Sequence, residues 1–370
     1  MQKEYVPSPS PRERVGGADI YIGRGIAEGL PELIAERFGS GRTLLVYDGE
    51  GESLASREER LFKGFGSRVT SLPAERADEA EECCLLAVGI GGERAMKAAR
   101  AQAEKGDAEC AFMPTSPASE GLCADGCDAV FLDGETLDAA GKEEYAAAVG
   151  LLSTLPVRRF EDAYAEKVLA VAPVPFAAGE AEEGEDGAEL ALKVLKLREK
   201  GRYACDVTAD MLALLARASG RAPRRKGEYA FAAACALGTV YRSYLSSPAI
   251  DTLVPADHDA LREEIARLTG TEKDKLMQAF DIFDVSGYFR INYVIGEYRM
   301  DLLSALSSTD LGGRERRWRR MYADAGFWLK KAFTARDMLR AMELAGEMSG
   351  GLLGYMSATG LFAAMLPSDA

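Results

Sequence analysis

The chain has 370 residues, 47% of them hydrophobic and 28% charged, with a formal net charge of −14. That length and balance suit a soluble globular protein with room for two domains and a large core. The negative charge argues against nucleic acid or an anionic membrane as the main partner.

Residues 1–17 are rich in Pro, Ser and charge and read as a loose N-terminal arm. A first strand is predicted at Asp19–Ile22, closed by Gly23-Arg24-Gly25, followed by a helix at about Ile26–Phe38. Gly39-Ser40-Gly41 stops that helix. Thr43–Tyr47 is an unbroken apolar strand ending at Asp48-Gly49. A polar helix with Leu54, Leu61 and Phe62 follows, then a weaker strand at Arg68–Leu72 and an acidic helix around Glu75–Glu82.

The stretch from Cys83 to Pro117 carries the most chemistry. It reads as a buried strand (Leu85–Val88), a glycine turn (Gly89, Gly91, Gly92), a helix (about Glu93–Glu104) and a strand (about Ala111–Met113). The second strand ends at Pro114-Thr115-Ser116. Glycines let the backbone come close to a ligand, and the helix after them points free N–H groups and a positive dipole end at it. Gly-x-Gly-Gly is not Gly-x-Gly-x-x-Gly, however, and Glu93 opposes a phosphate. A tight connection with no ligand fits the local residues equally well. One more strand is predicted at Asp128–Leu132.

Alternating strands and helices predict a parallel sheet, covered on its faces, over residues 18–144. Ligands of such sheets collect at the carboxyl ends of the strands, where Gly23, Asp48, Gly89–Gly92, Pro114–Ser116 and Asp133 fall. From residue 145 to 370 long helical patterns take over, including Glu144–Leu155, Glu189–Lys200, Asp210–Ala218, Glu228–Leu245 and Ala260–Leu268. Further helical patterns cover Lys273–Phe283, Tyr298–Leu306 and Arg314–Leu366, and the aromatic stretch Phe280–Tyr298 reads as a core helix pair. The basic run from Arg314 to Arg320 reads as a solvated face, with a phosphate grip as the sharper option.

The seven cysteines form neither a disulfide framework nor a zinc knuckle, although Cys123 and Cys127 make a conceivable metal or redox pair. The N-terminus shows no apolar signal region. The last apolar run, Leu352–Leu366, is interrupted and short for a bilayer span. The expectation is a cytoplasmic chain with reduced thiols, no membrane and no nucleic acid.

This order of elements resembles the superfamily of dehydroquinate synthase, glycerol dehydrogenase, sn-glycerol-1-phosphate dehydrogenase and iron-containing alcohol dehydrogenases. IYIGRGIAEGLPELIAERFGSGRTLLVYDG is similar to the family's opening, LLAVGIGGERAMKAARAQA to its pyrophosphate turn and helix, and AFMPTSPAS to its Pro-Thr-Thr segment. The resemblance implies an α/β N-terminal dinucleotide-binding (Rossmann-like) domain plus an all-α C-terminal domain, the dehydroquinate synthase-like fold. It further implies NAD or NADP at Asp48, Gly89, Gly91, Gly92, Thr115 and Ser116, a small-molecule ligand, and a homodimer as an allowed assembly.

The metal is where the sequence departs from the family. Leu151 stands in the place of the family's acidic ligand, and Ala234 or Cys235 in that of a histidine. The chain contains one histidine, His258, so a site needing two imidazoles cannot be built. No metal is expected, with Cys235 and His258 as the alternative pair. The functional expectation is a divergent NAD(P)-binding oxidoreductase, resembling glycerol or glycerol-1-phosphate dehydrogenases, whose metal site is lost or rebuilt. A non-catalytic ligand-binding or assembly relative and a dehydroquinate synthase-like cyclase are the alternatives. Catalytic residues are unknown, with Lys142, Lys226 and Tyr229 as candidate proton donors.

Overall fold

The computed structural model describes residues 10–80, 84–119, 121–122, 126–172, 178–182, 184–199, 203–246, 256–273, 285–307 and 333–362. The Arg314–Arg320 run and Cys123 lie outside them. The chain divides into two compact units. The first takes Met1–Leu152 together with Phe176–Lys200, and the second takes Ser153–Pro175 with Gly201–Ala370.

The first unit is built on a seven-stranded sheet: β1 (Glu13–Val15), β2 (Ala18–Gly23), β3 (Thr43–Tyr47), β4 (Val69–Pro73), β5 (Leu86–Gly91), β6 (Glu109–Pro114) and β7 (Ala129–Asp133). The spatial order is β1-β2-β7-β6-β5-β3-β4. β1 runs antiparallel to β2, and every other pairing is parallel. Glu13–Val15 is therefore not loose, because three residues of the expected arm pair with Ala18–Ile20. Strands β5, β6 and β7 are apolar and buried almost throughout, as strands covered on both faces must be.

The first unit's helices are α1 (Leu30–Phe38), α2 (Glu52–Gly64), α3 (Glu93–Gly106), α4 (Gly134–Asp138), α5 (Lys142–Leu152) and, after the excursion into the second unit, α7 (Gly187–Arg198). Three local expectations shift. Ile26–Gly29 is a turn, and α1 begins at Leu30 with Pro31 in its first turn, where a missing N–H costs nothing. The acidic stretch forms a 3₁₀ helix at Ala74–Glu79 rather than an α-helix. Strand β5 starts one residue later than expected, leaving Leu85 45% exposed, and runs through Gly89 to Gly91.

The division expected at residue 145 also moves. Leu190, Ala191, Val194 and Leu195 of α7 are buried, and the helix packs on α5, α4, β7 and β2. A helix with that much apolar surface stays with the sheet that buries it.

The second unit consists of helices among the described residues: α6 (Leu155–Val168), α8 (Ala204–Ala218), α9 (Lys226–Ser246), α10 (His258–Thr269), α11 (Val285–Ser307), α12 (Ala335–Ser349) and α13 (Gly351–Ala358). α12 packs on α13 and α8, α8 on α9, and α11 on α6. Only part of the expected aromatic helix pair is described, and within it Tyr293 of α11 is 68% exposed rather than core. Among the described residues no helix is long and apolar enough to cross a membrane.

Candidate nucleotide-binding crevice

Parallel strands place their carboxyl ends side by side, so residues far apart in the chain meet there. β3 delivers Asp48, β5 delivers Gly91-Gly92, and β6 delivers Thr115-Ser116. Gly91 has φ +128, a conformation that side-chain-bearing residues rarely adopt. A Cβ at that position would also sit 2.1 Å from Asp48 Oδ1. The glycine is what allows the Asp48 carboxylate to lie against the turn.

That carboxylate is divided in its duties. Asp48 Oδ2 accepts the Gly92 backbone N–H at 2.8 Å, capping the start of α3. Asp48 Oδ1 is buried and has no hydrogen-bond partner among the described residues. Across the turn, the Thr115 N–H donates to the Gly91 carbonyl at 3.4 Å, while Thr115 Oγ1 is likewise buried and unpartnered. Buried polar oxygens normally find a partner, so two orphans flanking one glycine mark a place where a ligand's polar groups would fit.

The six residues expected to hold a dinucleotide do not all behave alike. Asp48, Gly91, Gly92 and Thr115 converge. Gly89 lies inside β5, where its missing side chain lets Met96 Cα of α3 approach to 3.0 Å of the Cβ position. Ser116 is 4% exposed and turned away: its hydroxyl donates to Glu144 Oε2 and accepts the Ala118 N–H at 3.1 Å. Asp133 is also committed. It accepts the Ile26 N–H at 2.9 Å through one oxygen and the Thr136 N–H and hydroxyl through the other, tying the β2 turn to the start of α4.

The electrostatics of the turn are acidic. Glu50 Oε2 lies 3.9 Å from the Cβ position of Gly92, and Glu93 is held by Lys97 at 2.6 Å. Sequence reasoning missed Glu58 on α2, whose side chain is fully buried. Its Oε2 has no partner among the described residues, and burial pushes its carboxyl up to about 7. The signal was present in the sequence, since Ala55, Glu58 and Phe62 share one helical face. Between about pH 4.5 and 7 the native state holds a proton that the unfolded chain has lost, so this group's contribution falls as pH rises. Glu58→Gln mimics the protonated form. It is expected to flatten the stability profile over that window and to raise the urea midpoint at pH 8, as denaturation at several pH values will show.

A metal of the kind the resemblance implies finds no fitting ligand set among the described residues. Among the described residues no three His, Cys, Asp or Glu side chains converge. In the second unit, His258 starts α10 and its Nδ1 lies 2.7 Å from Glu347 Oε2, a carboxylate that Arg262 also binds. Cys235 sits partly exposed on α9, and Ala234 and Leu151 are buried with no donor to offer. Of the candidate proton donors, Tyr229 is 5% exposed with its hydroxyl accepting the Arg224 N–H, and Lys226 lies 3.8 Å from Asp210.

The architecture, a largely parallel sheet unit and a helical unit, is the dehydroquinate synthase-like fold. In particular, the chain is similar in structure to sulfoacetaldehyde reductase from Bifidobacterium kashiwanohense, solved with NAD+. The identity is 12% and the TM-score 0.52, over 96% of this chain and 99% of that one. A probable glycerol dehydrogenase from Sinorhizobium meliloti matches at 17% identity and TM-score 0.44, over 82% and 99% of the two chains. Maleylacetate reductase from Agrobacterium tumefaciens matches at 16% identity and TM-score 0.44, over 98% of each chain. No family model and no curated protein matches the sequence itself.

Proposed function

We propose that the first unit binds a nicotinamide dinucleotide at the Asp48–Gly91–Thr115 crevice. On this reading the chain is a divergent NAD-binding oxidoreductase that works without the metal its resemblance implies. The observation that carries the reading is the pair of orphaned buried oxygens, Asp48 Oδ1 and Thr115 Oγ1, on either side of a glycine with positive φ.

Each group has a defined job. The Asp48 carboxylate accepts hydrogen bonds from sugar hydroxyls, the work acidic residues do in dinucleotide sites. Thr115 Oγ1 donates or accepts at the opposite wall. The Gly92 N–H, held by Asp48 in the ligand-free chain, becomes free for a phosphate oxygen when the carboxylate turns to a sugar. A bound nicotinamide supplies the hydride acceptor or donor. With Asp48 and Glu50 beside the turn, an additional phosphate meets like charge, so NAD is preferred over NADP.

Calorimetric titration of the full chain tests this. NAD+ is expected to bind at least about tenfold more tightly than NADP+, a difference of about 1.4 kcal/mol. Heat from neither cofactor overturns the reading and favours a non-catalytic ligand-binding or assembly relative. Zinc, iron or nickel near one equivalent in purified protein overturns the metal-free part alone.

A further inference from the structure

Away from the crevice, three sulfur atoms gather beneath α3 where β6 and β7 begin. Cys110 is the second residue of β6, Cys127 lies two residues before β7, and Met96 comes from α3. All three are buried, at 3%, 7% and 3% exposure. Cys127 Sγ is 3.7 Å from Met96 Sδ, and Cys110 lies beside Cys127, where it and burial push the Cys127 thiol up. The backbone fixes the pair, because the Asp128 N–H donates to the Cys110 carbonyl at 2.7 Å while the Cys110 N–H donates to Asp128 Oδ2 at 2.8 Å. Arg100 lies close by, its Nε 2.9 Å from the Cβ position of Gly126, the residue before Cys127. No third Cys, His, Asp or Glu joins them among the described residues, so the donor set is sulfur alone.

Two thiols and a thioether are soft ligands, unsuited to Mg(II) or Ca(II), and the thioether is not among the Cys, His and carboxylate donors of ordinary Zn(II) sites. Binding deprotonates both thiols, and their two protons leave to solvent. The resulting thiolates are buried near the Asp128 carboxylate that holds the Cys110 N–H, so they need a bound cation's charge to be tolerated. We propose that Met96, Cys110 and Cys127 form a three-sulfur site for a soft cation of the Cu(I) class, independent of the nucleotide reading. The competing account is three sulfur side chains packed in a core, as free cysteines and methionines commonly are.

The test uses the full, reduced chain under anaerobic conditions, titrated with Cu(I) against bathocuproine disulfonate as competing chelator. The wild type is expected to retain one equivalent at a chelator level that strips Cu(I) from scattered surface thiols. Cys110→Ser/Cys127→Ser is expected to retain none, and Cys84→Ser to retain all of it. Met96→Leu, a size-matched change, is expected to weaken retention at least about tenfold. X-ray absorption on the selenomethionine-labelled wild type reads the site without relying on the folding of any variant: copper bound only to sulfur, with one selenium neighbour. No retained equivalent in the wild type, full retention by the double variant, or copper bound through nitrogen or oxygen each overturns the proposal.

Discussion

Replacing Arg158 by alanine is expected to lower the unfolding free energy by about 3–5 kcal/mol, the usual penalty for leaving a buried charge without its partner. Arg158 is 3% exposed on α6 of the second unit. Its guanidinium donates to Asp206 Oδ1 at 2.5 Å and to Thr154 Oγ1 at 3.1 Å, and lies 4.9 Å from the centre of the Tyr203 ring. The acids around it finish the start of α8. Asp206 accepts the Tyr203 N–H at 2.9 Å, and Glu161 accepts the Ala204 N–H at 3.0 Å and the Tyr241 hydroxyl at 3.2 Å. Without the guanidinium, two acids share a buried helix terminus with no cation. Burial already pushes the Glu161 carboxyl up to about 8. Its contribution is complete below about pH 4.5 and lost as pH rises to about 8, because the native state keeps a proton the unfolded chain has released. Guanidinium denaturation of Arg158→Ala at pH 7 checks the first claim, and a loss under about 1 kcal/mol would refute it. Glu161→Gln, compared at pH 5 and pH 8, checks the second: it should remove the pH dependence while leaving the pH 5 stability nearly unchanged.

The second large effect is expected at Gly91. Gly91→Ala forces a side chain into φ +128 and places its Cβ 2.1 Å from Asp48 Oδ1. Backbone strain costs about 1–3 kcal/mol and overpacking about 1–3 kcal/mol more. The Asp48 carboxylate must move, breaking its bond to the Gly92 N–H. Urea denaturation should show a loss of about 2–6 kcal/mol, and NAD+ titration of whatever remains folded should show no binding. Binding at wild-type affinity would mean that Asp48 and the turn are not part of the nucleotide site. Thr115→Val separates the two consequences, since it removes only the orphaned hydroxyl, and should weaken NAD+ binding with little change in stability.

Strands β2, β3, β5, β6 and β7 were legible because they hold short apolar runs near glycine, proline or acid, and Thr43–Tyr47 was read with its observed bounds, whereas β1, ERV, has no such run and was read as loose arm. Asp48 and the glycines stood out for the same reason, since a parallel sheet must deliver its loops to one edge. What pattern cannot show is orientation. Nothing local distinguishes Thr115, whose oxygen is unpartnered, from Ser116, which bonds Glu144. The burial of Arg158 was likewise hidden, because it looks like an ordinary charge on an amphipathic helix until a packing partner is placed. The division expected at residue 145 differs from the two compact units for a related reason. A helix carries no mark of which sheet will cover it, so α7 read as part of the helical half.

The route of the chain through α7 has a consequence for synthesis. The first unit pauses at Leu152 and is completed only after Phe176–Lys200 has been made. At about 5–20 residues per second, the ribosome needs a few seconds to deliver that last helix. During that interval the outer faces of β2 and β7 lack their cover, and a nascent chain in that state is a natural client for chaperones.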